Sequence, residues 1–140
     1  MEVAYSFLCE AVRVDPDTAR IDIDALDVRF FQAESLPTTM ERLYLVTGFS
    51  FSSVEVGEKE VVVQCIDADG RLLGEASRST LDFQAPPGEV VWQSMLITIV
   101  GGIEIEDYGD YSVRVTVNGL EFGRAPFRVL GPDDPGPMPR

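Results

Sequence analysis

The sequence predicts an all-β protein, an antiparallel two-sheet β-sandwich of about eight strands, and three observations predict it. Apolar and polar residues alternate with a period of two along most of the chain, as strands with one buried and one wet face require. Turn sequences separate these runs: "DPDT" at 15–18, "SLPTT" at 35–39, "DADG" at 67–70, "APPG" at 85–88 and "GG" at 101–102. Helix signals are scarce, the one candidate being a single turn in "PTTMERLYLV" capped by Thr38 or Thr39. Many short strands joined by regular turns bury their apolar faces most economically as two stacked sheets.

The first element is "MEVAYSFLCEAVRVD". Glu2 stands where a signal peptide needs basic residues, and Ser6, Glu10 and Arg13 break its apolar run, so it reads as a strand. Next, Ile21 and Ile23 alternate with Asp22 and Asp24, while Leu26, Val28 and Phe30 continue in the opposite phase, which requires a bulge near Ala25. Residues 43–51, "LYLVTGFSF", and 61–66, "VVVQCI", are apolar on both faces and read as central strands. The longest such run, "VVWQSMLITIV" at 90–100, is expected in the middle of a sheet with Trp92 in the core. By contrast "LLGEASRSTL" at 72–81 alternates poorly and reads as an edge.

Tyr111, Val113, Val115 and Val117 alternate with Ser112, Arg114, Thr116 and Asn118. "NG" at 118–119 then signals a type I′ hairpin, because both of its central positions need positive φ. Phe122 and Phe127 on the return strand are an odd number apart, so a bulge or kink is expected near Pro126, which suggests an edge strand. Residues 1–130 therefore form one domain. "GPDDPGPMPR" at 131–140, with its prolines and glycines, reads as a flexible tail.

Charge and composition exclude several functions. With 24 acids, 11 bases and a net charge of -13, the chain repels phosphate backbones and anionic lipid, so neither nucleic acid nor membrane is an expected partner. No run approaches the length of a membrane span, which makes the cytoplasm the expected compartment. The sequence holds no histidine for general base work or zinc, and no glycine-rich phosphate loop, so no catalysis and no cofactor are expected. Lys59 sits among acids in "GEKE" and reads as solvated. Cys9 and Cys65 lie in apolar runs and read as buried thiols without a disulfide.

"DYGDY" at 107–111 fits Asp-x-Gly-x-Tyr, with Asp107, Gly109 and Tyr111 at the defining positions, and resembles the tyrosine corner of immunoglobulin-like domains. The resemblance implies that the Tyr111 ring packs inside while its hydroxyl bonds an upstream backbone group. Val113 stands where immunoglobulins carry a cysteine, so the likeness is to the sandwich without its disulfide. "MEVAYSFLCEAVRVDPD" at the start, with "GDYSVRVTVNG" and "PFRV" at the end, also resembles a family of bacterial proteins known only as a domain of unknown function. That resemblance implies a β-sandwich and carries over no activity.

Two kinds of site are open to such a chain. If the strands alternate in direction, the connections near 33–40, 67–71 and 101–110 emerge at one end, where Asp67, Asp69, Glu104, Glu106, Asp107 and Asp110 offer the hard oxygen ligands calcium prefers. The other kind is a contact surface. Alternation leaves Phe31, Tyr44 and Tyr108 outward, and unpaired sheet edges offer backbone groups to a partner strand. The expected function is a non-catalytic module acting through protein contacts, as an accessory or assembly unit or a homo-oligomer, with a calcium-dependent or small-ligand-binding sandwich as the alternative.

Overall fold

The computed structural model describes residues 1–18, 20–24, 27–88 and 90–133. Its architecture is all-β, with no α-helix among the described residues and one 3-10 turn at Ser53–Glu55. The strands are β1 (Glu2–Cys9), β2 (Ala11–Val14), β3 (Ile21–Asp24), β4 (Phe30–Gln32), β5 (Thr38–Ser52), β6 (Gly57–Asp67), β7 (Leu72–Phe83), β8 (Val91–Ile105), β9 (Gly109–Val117) and β10 (Leu120–Leu130). They form a three-stranded sheet in the order β1-β5-β8, a five-stranded sheet in the order β4-β10-β9-β6-β7, and a two-stranded ribbon of β2 and β3. Among the described residues every pairing is antiparallel except β4 with β10. Among the described residues, no helix is long and apolar enough to cross a membrane.

One apolar cluster joins the two larger sheets. Leu8, Leu43, Leu45, Phe49, Phe51 and Val100 from the three-stranded sheet are buried with Val61, Val63, Phe83, Val113, Val115 and Phe127 from the five-stranded one. Phe83 meets both Phe49 and Phe51 edge-on, at centroid distances of 5.4 and 5.2 Å, the geometry that ring quadrupoles favour. Cys65 lies in this cluster and Cys9 is buried outside it; both are free thiols. Burial, with the Asp67 charge adding to it, pushes the Cys65 thiol up to about 12, so it stays protonated.

The described residues form ten strands rather than the eight expected. The first run bends at Glu10 and departs as β2, which pairs with β3 in the separate ribbon. The 21–30 run is interrupted, with Asp27 at positive φ between β3 and β4. The bulge expected near Ala25 lies outside the described residues, as do residues 134–140 of the expected tail. The turn available to "PTTMERLYLV" is instead the start of β5, because Met40 and Leu43 are buried by pairing with β8.

Two expectations about strand ends are corrected. Gly101 and Gly102 do not turn the chain; they lie inside β8, opposite Glu41 and Arg42, and Gly102 has φ 66. At this crease the alternation changes phase in both strands. Even-numbered Val100 and odd-numbered Ile103 both reach the core, as do Leu43 and Met40 on β5. A Cβ at residue 101 would lie 2.1 Å from the Glu41 carbonyl oxygen, so only glycine fits. On β10 the extra residue sits at Phe122, between Glu121 and Gly123, rather than near Pro126. Pro126 is tolerated because β4 pairs only with residues 128–130, leaving that part of β10 without a ladder on its outer side.

Asn118 and Gly119 form the hairpin tip, both at positive φ. The Asn118 side-chain oxygen also accepts from the Glu60 amide at 2.9 Å, tying the tip to β6. At the opposite end, Tyr111 is buried, stacks on Phe127 at 5.5 Å and donates its hydroxyl to the Asp107 carbonyl oxygen at 2.6 Å. Gly109, at φ 131, supplies the bend between the two. Tyr111→Phe deletes this hydrogen bond from a buried side chain, so it is expected to destabilise by about 1–2 kcal/mol. Urea unfolding measures the difference, and a midpoint equal to that of the native chain would refute a stabilising corner.

Candidate functional site

The end of the molecule beside Tyr111 contains a cleft of about 520 Å³. Four segments build it: the turn after β6, the start of β7 at 72–74, the β8 end from the crease onward, and the loop into β9. Asp67, Asp69, Glu104, Glu106, Asp107 and Asp110 all line it, together with Arg71, Tyr108 and Tyr111. The 33–37 segment reaches the same end, since the Tyr108 hydroxyl donates to the Ala33 carbonyl oxygen at 3.2 Å.

The six carboxylates are not equivalent. Asp67 caps its own turn, accepting from the Asp69 amide at 3.0 Å and the Arg71 amide at 2.8 Å, and it also pairs with the Arg71 guanidinium at 3.1 Å. Those bonds, the Arg71 amide foremost, hold its carboxyl below the ordinary range. Asp110 is held down chiefly by its hydrogen bond from the Arg128 guanidinium, at 2.7 Å. Asp69, Glu104, Glu106 and Asp107 make no ion pair among the described residues. No three acidic or cysteine side chains among the described residues stand close enough to hold a metal ion. The cleft is thus a diffuse negative field with an aromatic wall.

A second surface lies on the outer face of the three-stranded sheet. The registers align Tyr5, Gly48 and Met95 in one row, Phe7, Val46 and Ile97 in the next, and Cys9, Tyr44 and Ile99 in the third. Alternation turns these residues away from the core that Leu8, Leu45, Phe49 and Val100 enter. Tyr5 is 39% exposed, Met95 44% and Ile99 54%, while Val46 between them is fully covered. The Tyr5 ring lies flat over Gly48, where a Cβ would sit 2.3 Å from it, and stacks on Phe7 at 5.9 Å.

The three expected contact residues do not share a surface. Phe31 packs partly against the core from the short β4, Tyr44 belongs to the third row of the outer face, and Tyr108 lines the cleft. Trp92, expected in the core, is 40% exposed at the β8 start, across from Phe51. The 90–100 run is not in the middle of its sheet either: among the described residues β8 is an edge strand paired only with β5.

The model of a family of unknown function (DUF6941) matches residues 4–130. The chain belongs to this family. No curated protein matches this DUF6941 chain in sequence. Among solved structures, it is similar to Pseudomonas fluorescens alkylpurine DNA glycosylase AlkC bound to DNA containing an abasic site analog, at 13% identity and a TM-score of 0.48. The match covers 91% of the DUF6941 chain and 30% of that protein, a likeness too distant to carry an argument.

Sequence reasoning locates the acids of the cleft but misses Tyr5, Phe7, Met95, Ile97 and Ile99 as a surface. The available signal is the doubly apolar pattern of 90–100, which a covered strand and an uncovered apolar face produce alike.

The cleft makes a pH prediction. A carboxyl whose folded-state pKa is depressed adds stability that is present above its unfolded value and is lost as pH falls through the folded one. Replacing Asp67 by Asn is therefore expected to destabilise at neutral pH and to make progressively less difference as pH drops below the ordinary carboxylate range. Urea midpoints of both chains across that range measure the gap, and a gap independent of pH would rule out a charged Asp67 as the fastener of this turn.

Proposed function

We propose that this chain is a non-catalytic, cytoplasmic β-sandwich of immunoglobulin-like type that works through protein contacts, as an accessory or assembly module. Its two larger sheets share one apolar cluster, which supports the layered reading, and its two unbridged thiols are in keeping with a reducing compartment. The observation that carries the functional reading is the outer face of β1, β5 and β8. Three consecutive paired rows are apolar there, and Tyr5, Met95 and Ile99 remain roughly half open to solvent. Large apolar side chains left open on one sheet face are costly to a soluble chain, and a cluster of them characterises association sites. Tyr5 is already folded onto Gly48 and stacked on Phe7, so little conformational freedom remains to be lost on contact.

A second reading, a sandwich that binds calcium or a small cationic ligand, draws on the cleft and its four carboxylates without ion-pair partners among the described residues. The two readings separate in one set of measurements. The contact reading expects Met95→Glu and Ile99→Glu to abolish association while leaving the melting temperature within a few degrees, since both side chains are substantially exposed. It also expects association to survive a chelator. The cleft reading expects calcium to raise the melting temperature and the chelator to lower it. Association indifferent to both substitutions would sink the contact reading.

A further inference from the structure

We propose that the occupant of the outer face of β1, β5 and β8 is a second copy of this chain, packed sheet on sheet about a two-fold axis; this rests on the reading of that face as a contact surface. The three apolar rows contain no charged side chain, in a chain with 24 acids and a net charge of -13. Two identical acidic molecules repel through most approaches, but an uncharged face lets them meet once salt has screened the rest over about 8 Å. A cationic partner would instead be held by carboxylates within the contact, and these rows offer none.

Charges return only at the two ends of the face, and they return with opposite sign. Beyond the Tyr5 row, Glu2 stands beside Ser50 and Gln93, whereas Arg42 stands opposite Gly101 beyond the Tyr44 row. Both Glu2 and Arg42 are exposed. A two-fold axis lying in the contact plane and crossing the strands reverses strand direction, which brings Arg42 of each copy over Glu2 of the other. An axis along the strands would instead set like charges together. The contact is therefore self-complementary in only one orientation, as an isologous interface requires.

Size sets the affinity. Three strands ~4.8 Å apart, over the ~27 Å from residue 50 to residue 42, give a flat footprint of roughly 14 by 27 Å. At roughly 380 Å² per copy it falls below the standard size of specific interfaces and in the range of weak, transient ones, so the dimer is expected to be weak and reversible rather than obligate.

Sedimentation velocity of the full chain, from low micromolar to sub-millimolar concentration and from low to high salt, tests this. The expected result is a monomer-dimer equilibrium that tightens as salt rises, because repulsion is screened while apolar contact is kept. Met95→Glu is expected to weaken it at least about tenfold with an unchanged circular dichroism spectrum. Arg42→Glu is expected to weaken it as well, and Arg42→Glu combined with Glu2→Arg to restore it. A chain that stays monomeric throughout, while Met95→Glu still abolishes binding to a different protein, overturns the second-copy assignment and leaves the contact reading standing. A dimer unaffected by Met95→Glu, in a chain whose other associations are equally unaffected, overturns both.

Discussion

The fold depends on one commitment made by β5. Its odd-numbered residues Leu43, Leu45, Phe49 and Phe51 enter the core, where Phe83 of β7 locks against two of them edge-on. Because side chains alternate strictly along a strand, that commitment also turns Tyr44, Val46 and Gly48 outward. The registers with β1 and β8 then fix which of their residues follow. Core and outer face are thus two results of a single phase choice. A slip of one residue would exchange Phe49 for Gly48 and empty the core of its largest side chains.

Much of this architecture is legible in the amino-acid pattern alone. The runs at 43–51 and 61–66, apolar on both faces, are strands with a neighbour on each side, β5 and β6, and the weakly alternating 72–81 run is the edge β7. The Asn118-Gly119 tip is legible because so few residues accept positive φ twice in succession. What the pattern leaves open has a common physical origin: periodicity reports which faces are apolar, but not what covers them. The 90–100 run has the composition of a central strand and the position of an edge, so its pattern implies for Met95 and Ile99 a cover that the described residues do not supply.

The bulges are hidden for a different reason. An odd spacing such as Phe122 to Phe127 shows that one residue must be absorbed, without saying where. Packing decides the position, since Gly123 lies under the Val3 side chain, where a Cβ would stand 3.2–3.4 Å from its atoms. Pro126 is the conspicuous residue of that segment, yet it sits in regular pairing with Ser112. Similarly, the acids near 67 and 101–110 do gather at one end of the molecule, but proximity does not make them alike. Asp67 and Asp110 commit their oxygens to local amides and guanidinium groups, while the other four acids line the cleft without an ion pair among the described residues.

The crease at Gly101 and Gly102 has a mechanical consequence. On one side of it β8 carries Met95 and Ile99 of the outer face, and on the other Glu104 of the cleft wall, with Glu106 just past its end. The backbone of Glu41 passes so close to Gly101 that the joint has no slack for a methyl group. The apolar rows and the acidic wall are therefore two stretches of one continuous ribbon, joined where a bare pair of hydrogen atoms leaves room for the neighbouring carbonyl.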